Sequence, residues 1–284
     1  MVTHPPEYGT FLEGKSSKPN PETDPQRKRL LPVVHGMITM DDVSDNNKIW
    51  RMLLAEFLGT AMLLFVGCGS IMWLNGQLGS SGVIQIALTF GFIIATLVQI
   101  FGQTSGCHIN PAVTVSFLIT GQCSVLKSAL YIVAQCLGAI AGVYLLNFVT
   151  PNGVTKGLGK TNISEQLDSS QGFVVEATIT LILILVIHSV CDESSKSSIV
   201  TPSVSIGLAI AANHLAAIQF TGASMNPARS LGPAVVLGFW TNHWVYWAGP
   251  IVGGALGGLI HHFVLKRHTE EMISSHQLVS LNAT

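Results

Sequence analysis

The stretch Ser105-Gly106-Cys107-His108-Ile109-Asn110-Pro111-Ala112 returns later as Thr221-Gly222-Ala223-Ser224-Met225-Asn226-Pro227-Ala228. Each copy ends in Asn-Pro-Ala, and each opens an apolar run too short to cross a bilayer: Pro111 to Ile119 and Pro227 to Phe239. A lone Asn-Pro-Ala carries little information, because the tripeptide is common in turns and at helix starts. Two copies in register, one in each half of the chain, mark a membrane pore or carrier site built from broken helices.

Six longer apolar runs surround the two short ones: Met52 to Leu74, Val83 to Phe101, Ala129 to Val149, Phe173 to Val190, Val204 to Phe220 and Trp244 to Leu265. Each is long enough for a spanning helix, which needs roughly 17–25 residues. The order is long, long, short, long, and then the same again. The halves share further landmarks. Ala55-Glu56-Phe57 opens the first span and Val175-Glu176-Ala177 the fourth, with 54 positions from Glu56 to Asn110 and 50 from Glu176 to Asn226. Three spans, an odd number, separate equivalent positions, so the halves insert upside down relative to one another. The short segments dip in from opposite sides and meet near the midplane.

Composition agrees. Of 284 residues 48% are hydrophobic and only 10% charged, against roughly 25% charged in soluble domains. The mean hydropathy is +0.50. A net charge of -1 offers no basic field for a nucleic-acid partner. The five cysteines, Cys68, Cys107, Cys123, Cys136 and Cys191, have neither a disulfide framework nor metal-site spacing; no metal or cofactor is expected. The fold class is therefore an all-α membrane protein, with six transmembrane helices, two re-entrant half-helices and an inverted repeat. Residues 1–48 form a polar tail with no signal-peptide core, and 49–267 form the channel domain. Within it, repeat one covers about 49–150, a connection 151–170 and repeat two about 171–267; a second tail covers 268–284.

Lysine and arginine orient the bundle. The side holding both termini carries Lys15, Lys18, Arg27, Lys28, Arg29, Lys48, Arg51, Lys127, Lys196, Lys266 and Arg267, which is 11 of 14. That side is expected to be cytoplasmic. Lys156 and Lys160 lie on the other side, with the sequon Asn162-Ile163-Ser164, a glycosylation candidate. A second sequon, Asn282-Ala283-Thr284, falls inside and is discounted. Trp50, Trp73, Trp240 and Trp244 fall near span ends, as an interfacial belt requires.

The short segments also carry chemistry. Pro111 and Pro227 suit the first helical turn, where the missing N–H is unpaired anyway. Asn110 and Asn226 then sit as N-caps, each side-chain oxygen accepting from free N–H groups. This leaves both amide NH2 groups as donors in mid-membrane, backed by two positive helix ends. A water oxygen can accept from both, while cations and protons meet an opposing field.

These residues resemble the major intrinsic protein family, the aquaporins. The resemblance covers about Arg51 to Arg267 and includes Ala55-Glu56-Phe57, Tyr131-Ile132-Val133-Ala134-Gln135-Cys136-Leu137-Gly138-Ala139 and Asn226-Pro227-Ala228-Arg229-Ser230. It implies a homotetramer in a lipid bilayer, one pore per subunit, with water as permeant and the plasma membrane as location. It also implies a filter of Phe90, His214, Arg229 and the backbone carbonyl of Ala223, with Glu56 and Glu176 supporting the re-entrant loops. His214 and Ser230 stand where glycerol-conducting relatives usually carry Gly and Asp, and Ala234, Tyr246 and Trp247 also resemble the water-selective branch. Cys107, three before Asn110, is the candidate mercurial site, because Ala223 replaces the cysteine some water channels carry. Gly249, Gly253 and Gly257, and Gly138 with Gly142, form small-residue stripes for close helix packing. Ser124 and Ser128 flank Lys127 in a loop expected to be solvated.

The reading is a passive water-selective channel and not an enzyme. A broader solute pore passing glycerol, urea or peroxide, and a weakly conducting junctional or adhesive protein of the same fold, remain as alternatives at this point.

Overall fold

The computed structural model describes residues 46–72, 79–151, 157–192 and 200–266. Most of both tails, Trp73, Lys156, Lys196, Arg267 and the sequon at 282–284 lie outside them. Every regular element among the described residues is helical: α1 Asn46–Met72, α2 Ser80–Ser105, α3 Pro111–Ile119, α4 Val125–Val149, α5 Ser169–Cys191, α6 Pro202–Thr221, α7 Pro227–Leu237 and α8 Val245–Ile260, which ends in a π-helical turn, His261–Leu265. Six of these helices are long and apolar enough to cross a membrane. The two half-helices are α3 and α7.

The helices extend past the apolar runs because their ends are capped. Asp168 accepts from the backbone N–H of Ser170 and Gln171, while the Gln171 side chain accepts from the Asp168 N–H. This capping box starts α5 four residues before its apolar run, and the bond from Ser170 holds the Asp168 carboxyl below its ordinary range. Ser124 caps α4 by accepting from Lys127 N–H. Ser124 and Ser128 are both buried, so the expectation of a solvated serine loop there is corrected. At that site the backbone turns into α4 and faces both hydroxyls inward.

Packing follows the inverted repeat. Helix α1 lies against α4 where a Cβ added to Gly138 or Gly142 would overlap the carbonyls of Phe57 and Ala61. In the second half α5 lies against α8, with Gly253 on the Ala177 carbonyl and Gly249 on the Glu176 side chain. The half-helices cross over. Helix α3 packs on α8, where a Cβ on Gly254 would stand 2.8 Å from Ala112 O, and α7 packs on α4, where one on Gly232 would stand 2.7 Å from Ala139 O. Helices α2 and α6 meet at Gly91 and Gly207, each backbone in the space the other's Cβ would need. In lipid no hydrophobic force drives helices together, so this backbone contact supplies attraction through close packing.

Burial is inverted relative to a soluble protein. Phe92 and Phe148 are 66% and 86% exposed, whereas Glu56, Gln135, Glu176 and Thr221 are wholly buried. The apolar surface faces outward, and the polar groups converge where the re-entrant loops need partners. Trp50, Trp240 and Trp244 are more than half exposed, as belt residues would be.

Candidate functional site

Each re-entrant loop must leave a helix, reverse and start a half-helix without water to satisfy its backbone. The reversal is made by Gly106 and Gly222, C-caps of α2 and α6 at φ 88° and 82°. Cys107, Ile109, Ala223 and Met225 follow with φ of 50°, 42°, 50° and 54°. Four non-glycine residues in the left-handed region are strained, so other bonds must hold them. Glu56 supplies these in the first loop. Its Oε1 accepts from Ser105 Oγ at 2.6 Å and His108 N at 2.9 Å, and its Oε2 from Ile109 N at 2.6 Å and Gln135 Nε2 at 2.8 Å. Glu176 does the same in the second, accepting from Thr221 Oγ1 at 2.6 Å, Ser224 N at 2.9 Å and Met225 N at 2.8 Å. The hydroxyls of Tyr131 and Tyr246 donate to the carbonyls of Ser105 and Thr221. One difference breaks the symmetry: four residues after each tyrosine stands Gln135 in one half and Pro250 in the other.

Asn110 and Asn226 cap α3 and α7. Asn110 Oδ1 accepts from Ala112 N at 2.8 Å; Asn226 Oδ1 accepts from Ala228 N at 3.0 Å and Arg229 N at 3.3 Å. Pro111 and Pro227 open the helices, and Ala112 and Ala228 are fully buried behind them. The expectation of wholly outward amides needs refinement. Asn110 Nδ2 donates to Met225 O at 2.8 Å, and Asn226 Nδ2 to Ile109 O at 2.9 Å. One N–H of each amide ties the two loops together, and the second remains as a donor.

A cavity of about 450 Å³ reaches from Gln99, Cys191 and Thr201 past Cys107, Asn110 and Asn226 to Phe90, His214 and Arg229. At that last end the Phe90 and His214 rings stack with centroids 4.6 Å apart, and the Arg229 guanidinium lies 5.0 Å from the Phe90 centroid. His214 Nδ1 lies 2.9 Å from Ile210 O. A carbonyl can only accept, so Nδ1 carries the hydrogen. Nε2 of the neutral ring is then an acceptor, and it has no partner among the described residues. Arg229 Nη1 donates to Gly159 O at 2.6 Å, while its Nε has no partner among the described residues. Two buried polar atoms without partners among the described residues thus stand at the same end of the cavity, where such groups call for an explanation. Ala223 is fully buried and is not among the residues that line this cavity.

These features decide the family. A profile of the major intrinsic protein family matches residues 43–261. The chain belongs to that family. Aquaporin-4 of Mus musculus is 47% identical over 235 residues, covering 79% of this chain and 72% of the relative. Aquaporin-2 of Homo sapiens is 46% identical, covering 76% and 79%. The lens fiber major intrinsic protein of Lithobates pipiens is 45% identical, covering 76% and 81%. Among solved structures, that of the aquaglyceroporin from Plasmodium falciparum aligns with a TM-score of 0.69 and 26% identity, covering 76% of this chain and 97% of that one.

Phe117, His188 and the placement of Cys68 and Cys191 escaped the sequence reading. His108 stacks on Phe117 at 4.8 Å, and Phe117 stacks on His188 at 4.5 Å. His188 lies 3.1 Å from Ser116 Oγ behind the cavity. A histidine inside a span is itself a flag, but only packing shows that it backs α3. Cys191 joins Cys107 on the cavity wall, and Cys68 reaches the arginine. Asn162 is exposed between the buried Thr161 and Ile163.

Proposed function

We propose that this chain is a passive water-selective channel, with Phe90, His214 and Arg229 as its filter and Asn110 and Asn226 as its central donors. The observation that carries this is the stacked Phe90–His214 pair with Arg229 beside it, at one end of a cavity that passes both Asn-Pro-Ala caps. Relatives named aquaporin, 47% and 46% identical over most of the chain, support water as the permeant. In the filter, a water molecule donates to His214 Nε2 and accepts from the guanidinium, and the bulk of the two rings sets the size limit in this reading. At the centre its oxygen accepts from the remaining Asn110 and Asn226 N–H groups. Both donors sit at half-helix N-termini, whose partial positive charge disfavours cations and breaks a proton-conducting orientation.

The same reading includes a homotetramer in the plasma membrane, both termini cytoplasmic, glycan on the exposed Asn162 and no enzymatic activity. Glu56 and Glu176 hold the loops and do not line the path.

The test is stopped-flow volume change of proteoliposomes, wild type against His214→Gly, with sucrose and then glycerol as osmolyte. The expected result is fast water flux without glycerol entry in the wild type and glycerol entry in the variant. Glycerol entry in the wild type would transfer the reading to a broader solute pore. Absent water flux from correctly folded protein would transfer it to a structural role.

A further inference from the structure

Arg229 has few anchors for a buried cation. Its Nη1 donates to the Gly159 carbonyl at 2.6 Å and lies 3.6 Å from Cys68 Sγ, and its Nε has no partner among the described residues. Both anchors come from outside α7: Gly159 from the connection after α4, and Cys68 from the buried face of α1. They also touch each other. Gly159 sits at φ 68°, and a Cβ built on it would stand 2.6 Å from Cys68 Sγ and 2.7 Å from Cys68 Cβ. The Gly159 backbone therefore rests directly on the Cys68 side chain, which is fully buried.

We infer that Cys68 is a positioning residue for selectivity: it sets the height of the Gly159 carbonyl and, through that carbonyl and its own sulfur, the reach of Arg229 across the filter. This rests on the proposed role of Arg229. The physical case is that, beside the face of Phe90, the guanidinium has two polar contacts among the described residues, Gly159 O and Cys68 Sγ, and Cys68 controls both. A thiol is a weak acceptor, so its share is mainly spatial. Removing the sulfur leaves room for Gly159 to sink toward α1 and draws the guanidinium with it, away from Phe90 and His214. A serine keeps an acceptor of similar reach at the same place.

The experiment measures glycerol and water permeability of the full chain in proteoliposomes for wild type, Cys68→Ala, Cys68→Ser, Gly159→Ala and Arg229→Ala, with thermal unfolding of each. The readout is the glycerol-to-water ratio, which a purely structural defect does not change. Expected is a rise of about tenfold in Cys68→Ala, the scale of one missing group in a pocket. Cys68→Ser should stay near the wild type. Gly159→Ala, which meets the sulfur from the other side, should raise the ratio with Cys68 intact, and it tests the idea even where Cys68→Ala does not fold. Unchanged ratios in Cys68→Ala or Gly159→Ala, beside a raised ratio in Arg229→Ala, overturn the inference and leave the filter standing. An unchanged ratio in Arg229→Ala overturns both. Water and glycerol falling together in Cys68→Ala, with lowered thermal stability, reduces Cys68 to packing and overturns the inference as well.

Discussion

Asn110 and Asn226 are bound into each other's loops: the amide of each donates to the carbonyl just before the other, at Met225 O and Ile109 O. Two asparagines on the cavity wall are thus the ones that tie the two re-entrant loops together. Neither loop can move without breaking a bond at the centre of the other.

Asn110→Asp tests that lock. A carboxylate in this place has no N–H for Met225 O and sets acceptor against acceptor. An unpaired buried carbonyl costs about 1–3 kcal/mol. Water permeability should fall, and the thermal midpoint in detergent should drop by several degrees. A variant with wild-type flux and melting would remove the cross-loop bond from the design.

Helix contact can be probed with two glycines of opposite surroundings. Gly253→Ala drives a methyl into the Ala177 backbone, and overpacking of this kind costs about 1–3 kcal/mol. Gly102→Ala meets nothing within 4 Å and gains helix propensity, with stabilisation of about 0.5–1 kcal/mol. Thermal unfolding should shift down in the first and up in the second. Equal shifts would mean the α5–α8 seam is looser than its geometry.

Mercurial block should depend on Cys107, which lies on the cavity wall three residues before Asn110. Cys191 lies on the same wall beside Gln99 and Thr201 and is exposed, so a mercury atom there stands away from Asn110. Cys107→Ser should remove inhibition of osmotic water flux and Cys191→Ser should retain it. The reverse pattern reassigns the site to Cys191.

Acid should weaken the loop between α7 and α8. His243 Nε2 accepts from Trp247 Nε1 at 3.1 Å, which requires the uncharged nitrogen, and burial lowers His243 below its ordinary 6.5. The folded protein therefore binds fewer protons here than the unfolded chain. This contribution is complete above pH 6.5 and is lost as pH falls through that value toward the lowered folded pKa. Between about pH 7.5 and about pH 5.5, the thermal midpoint of the wild type should fall more than that of His243→Gln, which keeps an acceptor and does not titrate. Equal pH dependence in the two proteins would show that His243 does not supply it.

How much of this was legible beforehand differs by residue. The bounds of α3 are those read from Pro111 to Ile119, because Asn-Pro fixes a helix start whatever surrounds it. The start of α5 moved to Ser169 because its cap is polar and lies outside the apolar run. Ser124 and Ser128 read as solvated loop, yet tertiary contact buries them. Phe90, His214 and Arg229 were drawn together only by resemblance; their spacing along the chain does not make them neighbours.

By itself the sequence determined six spans, two broken helices, an inverted repeat and two capping asparagines. Each follows from local hydropathy, from proline's missing N–H or from the parity of spans between copies, all properties of neighbouring residues. The tertiary structure decided which amide hydrogens were left to the cavity, which sulfur rests against Arg229 and which glycine carbonyl holds it. Those outcomes depend on the Cys68 side chain of α1, the Gly159 carbonyl of the connection after α4 and the Arg229 side chain of α7 converging within hydrogen-bond reach, and packing sets such distances across the fold.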